Sequence, residues 1–123
     1  MELLQVAQHA DDLDRAVAFY RDILHGDFLA RFDPPGLAFF RIGDARLLLE
    51  RAAPPALIYL SVPDARQSIA HLRDVGVEIV QDAGLIHTDH HGVFGVPGTT
   101  EWMGFFRDSE GNLVGVASRH PPA

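Results

Sequence analysis

The spacing of apolar residues along the chain predicts two amphipathic helices. The first covers residues 12–23, with Asp11 or Asp12 as its N-cap, and the second covers residues 64–75 and ends before Gly76. In both segments the apolar residues recur with the helical period, so they share one face. They are Leu13, Ala16, Val17, Tyr20 and Ile23 in the first helix and Ala65, Ile69, Leu72 and Val75 in the second.

Short apolar runs around these helices predict eight strands. In the first half of the chain the predicted strands are 3–9, 28–32, 37–42 and 46–51; in the second half they are 57–62, 77–81 (with an extension to 87), 102–107 and 113–118. Each half therefore reads strand, helix and three strands. The order predicts an α+β fold of two βαβββ modules, with a curled eight-stranded sheet around a central cavity.

The two halves also repeat a hairpin, and this repeat sets the predicted module boundaries. Phe39-Phe40-Arg41 and Phe105-Phe106-Arg107 each precede a turn and an apolar strand. The predicted organisation is a first module at 1–51, a linker at 52–55, a second module at 56–119 with an inserted flap at 88–101, and a tail at 120–123. A flap of this kind could close over a ligand or contact a second subunit.

Composition and charge exclude several classes of protein. The chain has 123 residues, of which 47% are hydrophobic and 22% are charged, as expected for one self-sufficient globular body. Its net charge of −7 disfavours a nucleic-acid partner, and no apolar run approaches the roughly 20 residues that cross a bilayer. No nucleic-acid or membrane partner is expected. The acidic N-terminal start lacks the basic and apolar stretch of a signal peptide, so a cytoplasmic location is expected.

Three stretches of the sequence carry a family resemblance. "DLDRAVAFYRDIL", "VPDARQSIAHLRDVGVEI" and "EWMGFFRDSEGNLVGVAS" resemble the vicinal oxygen chelate superfamily, which includes glyoxalase I, extradiol dioxygenases and bleomycin-resistance binding proteins. The resemblance covers nearly the whole chain and implies the glyoxalase-like fold and a homodimer. It does not select an activity, because this superfamily holds enzymes and non-catalytic binding proteins on one scaffold.

In metal-using members, the resemblance implies ligands on the first and last strand of each module. The corresponding positions here are Gln5, Leu49, Leu57 and Gly115. Only Gln5 carries a donor, whereas a divalent metal ion usually takes three or four N or O ligands. Glu50 follows Leu49 and would face the other side of its strand. No cofactor is therefore expected; the alternative is a divalent metal ion bound by the atypical set Gln5, Glu50, His87 and Glu101.

The residues predicted to face the cavity are mostly apolar, with a few hydrogen-bonding groups, as in small-molecule pockets. Gly115 and Ala117 leave volume that a closed core would fill. The predicted ligand-binding residues are Gln5, His9, Leu57, Tyr59, His87, Trp102, Phe106 and Gly115. Other residues predicted to face inward are Leu47, Leu49 and either Phe39 or Phe40.

These observations leave three hypotheses for the function. The first is a binding protein of the resistance or sequestration type that holds an apolar or aromatic small molecule without the usual metal site. The second is a divalent-metal-dependent enzyme of glyoxalase, epimerase or dioxygenase type. The third is a metal-free enzyme with His9 or His87 as general base, although the sequence offers no nucleophile beside either histidine.

Overall fold

The chain folds into two compact units, each with one four-stranded sheet. A computed structural model describes residues 1–123. The first unit contains Met1–Ala56 and Asp108–Asn112, and the second contains Leu57–Arg107 and Leu113–Ala123. The predicted α+β class and the two βαβββ modules are confirmed. The eight strands form two separate sheets of four, since hydrogen bonds join strands only within each set.

The first sheet has the strand order β1-β4-β3-β2. Strand β1 runs parallel to β4, and the other neighbours are antiparallel. A helix, α1, follows β1 and continues as one π-helical turn over Phe19–Ile23. The elements are β1 (Gln5–His9), α1 (Leu13–Ala18), β2 (Asp27–Phe32), β3 (Leu37–Ile42) and β4 (Ala45–Glu50).

The second sheet repeats this arrangement with the order β5-β8-β7-β6. Its elements are β5 (Ile58–Ser61), α2 (Ala65–Asp74), β6 (Ile79–Asp89), β7 (Thr99–Arg107) and β8 (Leu113–His120). Strands β6 and β7 extend into the segment predicted as the flap 88–101, so that only residues 90–98 form a loop between them. The extra residues of the second module therefore mostly lengthen a hairpin.

Aspartate caps begin both helices, and the cap of the first helix is one of the two residues predicted from the sequence. The carboxylate of Asp12 accepts a hydrogen bond from the Arg15 N–H at 3.1 Å, and that of Asp64 accepts from the Arg66 N–H at 2.9 Å. Each cap satisfies a backbone donor that the first helical turn leaves free. Neither helix is long and apolar enough to cross a membrane.

Each helix packs on one side of its own sheet. In the first unit, the rings of Tyr20 and Phe40 lie 6.1 Å apart between the π-helical turn and the sheet, and Phe40 is fully buried. In the second unit, Ile69 of α2 lies over Gly104 of β7, where a side chain would collide with it. We call this the helix side of each sheet and the opposite surface the far side.

Candidate functional site

Strand pairing assigns the residues of the first sheet to its two sides. Residues directly opposite each other on neighbouring strands point to the same side, and successive residues alternate. Phe40 pairs with Leu47 and therefore marks the helix side. Gln5 pairs with Arg46, and His9 pairs with Glu50, on the other side. The far side of the first sheet carries Gln5, Ala7, His9, Asp27, Ala30, Phe32, Leu37, Phe39, Arg41, Arg46, Leu48 and Glu50.

The predicted orientation of β4 is therefore wrong by one residue. Leu47 and Leu49 are fully buried on the helix side, whereas Leu48 and Glu50 share the far side with Gln5. The sequence could not reveal this because Leu47, Leu48 and Leu49 form an unbroken apolar run without alternation. Glu50 therefore lies on the same side as Gln5, whereas the sequence predicted that it would face the opposite side.

The far side of the second sheet carries an aromatic cluster around a glycine. Tyr59 pairs with Gly115, and Gly115 pairs with Phe105, so all three share one side. The rings of Tyr59 and Phe105 meet edge to face at 5.8 Å, and both lie about 3.0 Å from the point where Gly115 would carry a Cβ. Gly115 is thus required for the two rings to close over the strand. Tyr59 nevertheless remains 52% exposed.

Trp102 and Phe106 lie on the helix side, which corrects their predicted inward orientation. Phe106 pairs with Val114 and is fully buried, and the Arg66 guanidinium of α2 lies over the Trp102 ring at 4.5 Å. Phe105 and Phe106 are adjacent and equally apolar, so the alternation of apolar and polar residues could not show which of them faces which side. Leu57 precedes β5 and is 48% exposed. Tyr59 contacts the ring of Phe105, which was not among the predicted site residues.

His87 and Glu101 are two of the four potential metal ligands that the sequence suggested. They lie directly opposite each other on β6 and β7 and therefore point to the same side. Gln5 and Glu50 share the far side of the first sheet, but four residue steps separate them along the strands, about 13 Å. No three His, Asp or Glu side chains are grouped so that they could hold an ion. The donor set therefore does not fit the divalent site that the fold family implies.

Hydrogen-bond acceptors surround the ring of His9. Its Nδ1 lies 2.9 Å from the Arg51 carbonyl and 3.0 Å from the Ala53 carbonyl, and its Nε2 lies 2.9 Å from Asp11 Oδ1. Burial lowers the pKa of His9, but the hydrogen bonds to Asp11 and the two carbonyls outweigh it and raise the pKa above the ordinary value. The ring joins the end of β1 to the segment after β4, so its role in the structure is to fix the chain rather than to act as a free base.

The loop at residues 90–98 is organised around one buried carboxylate. Asp89 is 2% exposed and accepts hydrogen bonds from the N–H groups of Val93 and Phe94, both at 2.8 Å. These bonds, the Phe94 N–H first, lower the pKa of Asp89 against the opposing effect of burial. Arg119 adds an ion pair to Asp89 and donates to the Phe94 carbonyl at 2.6 Å. The loop is therefore held in one shape, with the Phe94 ring against His87 at 6.2 Å.

An open groove of about 220 Å³ lies on the far side of the first sheet. Its walls are Leu29, Ala30, Phe32, Phe39 and Arg46. Phe32 and Phe39 meet edge to face at 6.0 Å, and the Arg46 guanidinium lies 5.7 Å from the centre of the Phe39 ring. Sequence reasoning missed this groove. Arg46, Leu48 and Glu50 alternate with residues on the helix side, and this alternation could have placed Arg46 on the far side. The apolar run Leu47-Leu48-Leu49 hid the alternation.

Comparison of the chain with known protein families identifies one matching family. The model of the Glyoxalase/Bleomycin resistance protein/Dioxygenase superfamily matches residues 2–116. None of the curated proteins compared with the chain matches it.

Solved structures of low sequence identity share the fold. A lactoylglutathione lyase from Agrobacterium tumefaciens is 22% identical over 95% of this chain and 92% of its own, with a TM-score of 0.70. TnmS3, an antibiotic binding protein from Streptomyces sp. CB03234, is 20% identical over 98% and 97%, with a TM-score of 0.69. An enzyme and a binding protein thus resemble this chain equally well.

Proposed function

The chain belongs to the Glyoxalase/Bleomycin resistance protein/Dioxygenase superfamily, and within it we propose that the protein binds a small apolar or aromatic molecule without converting it. The observation that carries the proposal is the aromatic character of both far sides. Phe32 is 53% exposed on the first sheet and Tyr59 is 52% exposed on the second. Exposed aromatic clusters on a protein surface are typical of sites that bind another molecule.

The far sides combine apolar surface with a few polar groups, as small-molecule sites do. On the second sheet, the rings of Tyr59 and Phe105 provide a flat apolar surface, and Ser61 lies on the same side. His87 and Glu101 add a hydrogen-bonding pair on β6 and β7. Aromatic rings of this kind stack on a planar guest, and the polar groups orient it.

The donor chemistry favours binding over metal-dependent catalysis. Leu57 and Gly115 occupy two of the positions that supply ligands in metal-using relatives, and neither has a side-chain donor. Glu50 does reach the side of Gln5, but the spacing along the strands keeps the two apart. The same scaffold in TnmS3, described as an antibiotic binding protein, lends support to a binding role.

A screen for bound aromatic compounds tests the proposal. The protein is dialysed against EDTA, its metal content is measured by elemental analysis, and a library of neutral and charged aromatic fragments is screened by ligand-observed NMR. Saturable binding to the metal-free protein is expected. The proposal is wrong if no fragment binds, or if stoichiometric metal co-purifies and binding disappears with it.

Substitutions locate the bound fragment. Phe32→Ser and Tyr59→Ser each remove an exposed ring from one far side, so at least one of them should weaken binding. Val75→Ser is the matched control, because Val75 is 45% exposed and follows helix α2 rather than lying in a sheet. Equal binding by all three variants would contradict a site on the far sides.

A further inference from the structure

The groove on the first sheet contains one cation that no acidic group neutralises. Arg46 takes part in none of the ion pairs of the protein, although the chain carries a net charge of −7. Its only ring partner is Phe39, at 5.7 Å. An arginine beside an aromatic wall, in a protein with excess acid elsewhere, marks a place for an anion.

The neighbours of Arg46 on the far side strengthen this reading. Gln5 lies opposite Arg46 on β1, and Arg41 lies opposite it on β3. Asp27 of β2 pairs with Arg41 in turn, but no ion pair joins them. Like charges directly opposite each other on neighbouring strands repel, so an anion bound beside Arg46 would relieve the repulsion between the two arginines.

The groove beside Arg46 accepts a small flat group. Its volume of about 220 Å³ lies below the roughly 300–1,000 Å³ of pockets for drug-sized ligands, which limits the guest to one or two rings. The edge-to-face pair of Phe32 and Phe39 presents ring surface to such a guest. The surface of the groove is apolar, so Arg46 lines it with side-chain carbon atoms. Its guanidinium lies 5.7 Å from the centre of the Phe39 ring, close enough to pair with a charged group on a guest that rests against this ring.

We propose that the groove formed by Leu29, Ala30, Phe32, Phe39 and Arg46 binds a planar aromatic carboxylate, whose carboxylate group pairs with the Arg46 guanidinium while its rings lie against Phe32 and Phe39. The inference rests on the proposed binding function and narrows it to an anionic ligand and to the first sheet. The planar, two-donor edge of arginine matches a carboxylate better than a lysine ammonium does.

Calorimetric titration with 2-naphthoate and with neutral 2-naphthamide tests this inference. Both probes carry the same two rings, and they differ in charge. The naphthoate should bind about tenfold more tightly, the change expected for one charge-assisted contact near the surface. Arg46→Gln should remove this preference, so that the two probes bind with similar affinity.

Two further variants keep the test decisive. Arg21→Gln removes the same charge from an exposed pair with Asp22 on the π-helical turn, and it should leave the preference intact. Arg46→Lys retains the charge without the two-donor edge and should retain only part of the preference, even if Arg46→Gln were to fold poorly.

The outcomes separate the inference from the function on which it rests. Equal binding of naphthoate and naphthamide, or a preference that survives in Arg46→Gln, overturns the anionic site and leaves a neutral binding protein. The absence of binding by either probe and by every fragment of the screen overturns both.

Discussion

At the residue scale, His9 shows how three acceptors determine the state of one ring. Neutral imidazole has one N–H, so it can donate to only one side, whereas imidazolium donates from both nitrogens. The two carbonyls at Nδ1 and the Asp11 carboxylate at Nε2 are all acceptors. The folded protein therefore favours the protonated ring. Two further charged residues lie nearby: Glu50 is opposite His9 on β4, and Arg51 donates a hydrogen bond to the Asp11 carbonyl.

The raised pKa of His9 predicts a pH-dependent stability. A group whose pKa is higher in the folded state stabilises the protein fully below its unfolded value of 6.5 and loses that contribution as the pH rises through the folded value. The stability difference between wild type and His9→Gln should therefore be largest below pH 6.5 and shrink as the pH rises from 6.5 into the alkaline range. Urea unfolding across this range measures it, and a difference that grows with pH would refute the assignment.

Tyr20 forms a buried hydrogen bond that should contribute measurably to stability. Its hydroxyl donates to Asp108 Oδ2 at 2.7 Å, and the side chains of both residues are buried. Burial, followed by the Asp108 charge, raises the pKa of Tyr20, so the hydroxyl remains protonated. Tyr20→Phe should cost about 1–2 kcal/mol in the free energy of unfolding. Tyr59→Phe, at an exposed ring, is the control and should change it little.

Single residues also mark the limit of the sequence analysis. Alternation assigned Gln5, Tyr59 and Gly115 to sides that the strand pairing reproduces. It failed at Leu49 and Phe106, where neighbouring residues are equally apolar and a shift by one residue reverses the side. The side that each of these residues faces is fixed only by its partner on the neighbouring strand, which the local sequence pattern does not reveal.

At the scale of elements, the contact between α2 and β7 depends on a glycine. A Cβ on Gly104 would lie 2.5 Å from Ile69 Cγ1, so helix and strand would have to separate. Gly104→Ala should therefore destabilise the protein by about 1–3 kcal/mol in thermal or urea unfolding. Gly84→Ala in β6 is the matched control, since nothing lies within 4 Å of its added Cβ. Ile69→Ala removes the colliding Cγ1, so Gly104→Ala should cost less in that background than in the wild type. Equal effects at the two glycines would contradict the packing.

The loop at 90–98 should open when its carboxylate is removed. Asp89→Ala leaves the Val93 and Phe94 N–H groups without their acceptor and removes the ion pair with Arg119. Limited proteolysis should then cut within residues 90–98 several times faster than in wild type. His90→Ala, an exposed substitution in the same loop, should cut at the wild-type rate. An unchanged rate in Asp89→Ala would show that other contacts hold the loop.

The elements themselves were more predictable than their lengths. Helix caps at Asp12 and Asp64 and the repeated hairpins fixed the order of helices and strands. The flap was overestimated because its Gly, Thr and His residues resemble a loop, yet Thr88, Asp89 and Thr99 to Glu101 extend the β6–β7 ladder. Strand pairing across a hairpin can override the preferences of individual residues.

At the scale of the whole molecule, the repeat predicted the two modules, and the sequence resemblance predicted the family. Two βαβββ modules place one helix on each sheet and leave the other surface to aromatic and charged residues. The central cavity, the homodimer and the cytoplasmic location remain predictions from the resemblance and the sequence. In the proposed function, an aromatic guest contacts the far sides and needs no metal ion.

Intermolecular nuclear Overhauser effects test this claim most directly. EDTA-treated protein with assigned side chains is mixed with 2-naphthoate and, separately, with 2-naphthamide. We expect cross-peaks from probe protons to far-side rings such as Phe39 or Tyr59, and none to Phe40 or Trp102 on the helix sides. Cross-peaks to Phe40 or Trp102, or contacts that appear only after a divalent metal is added, would contradict it.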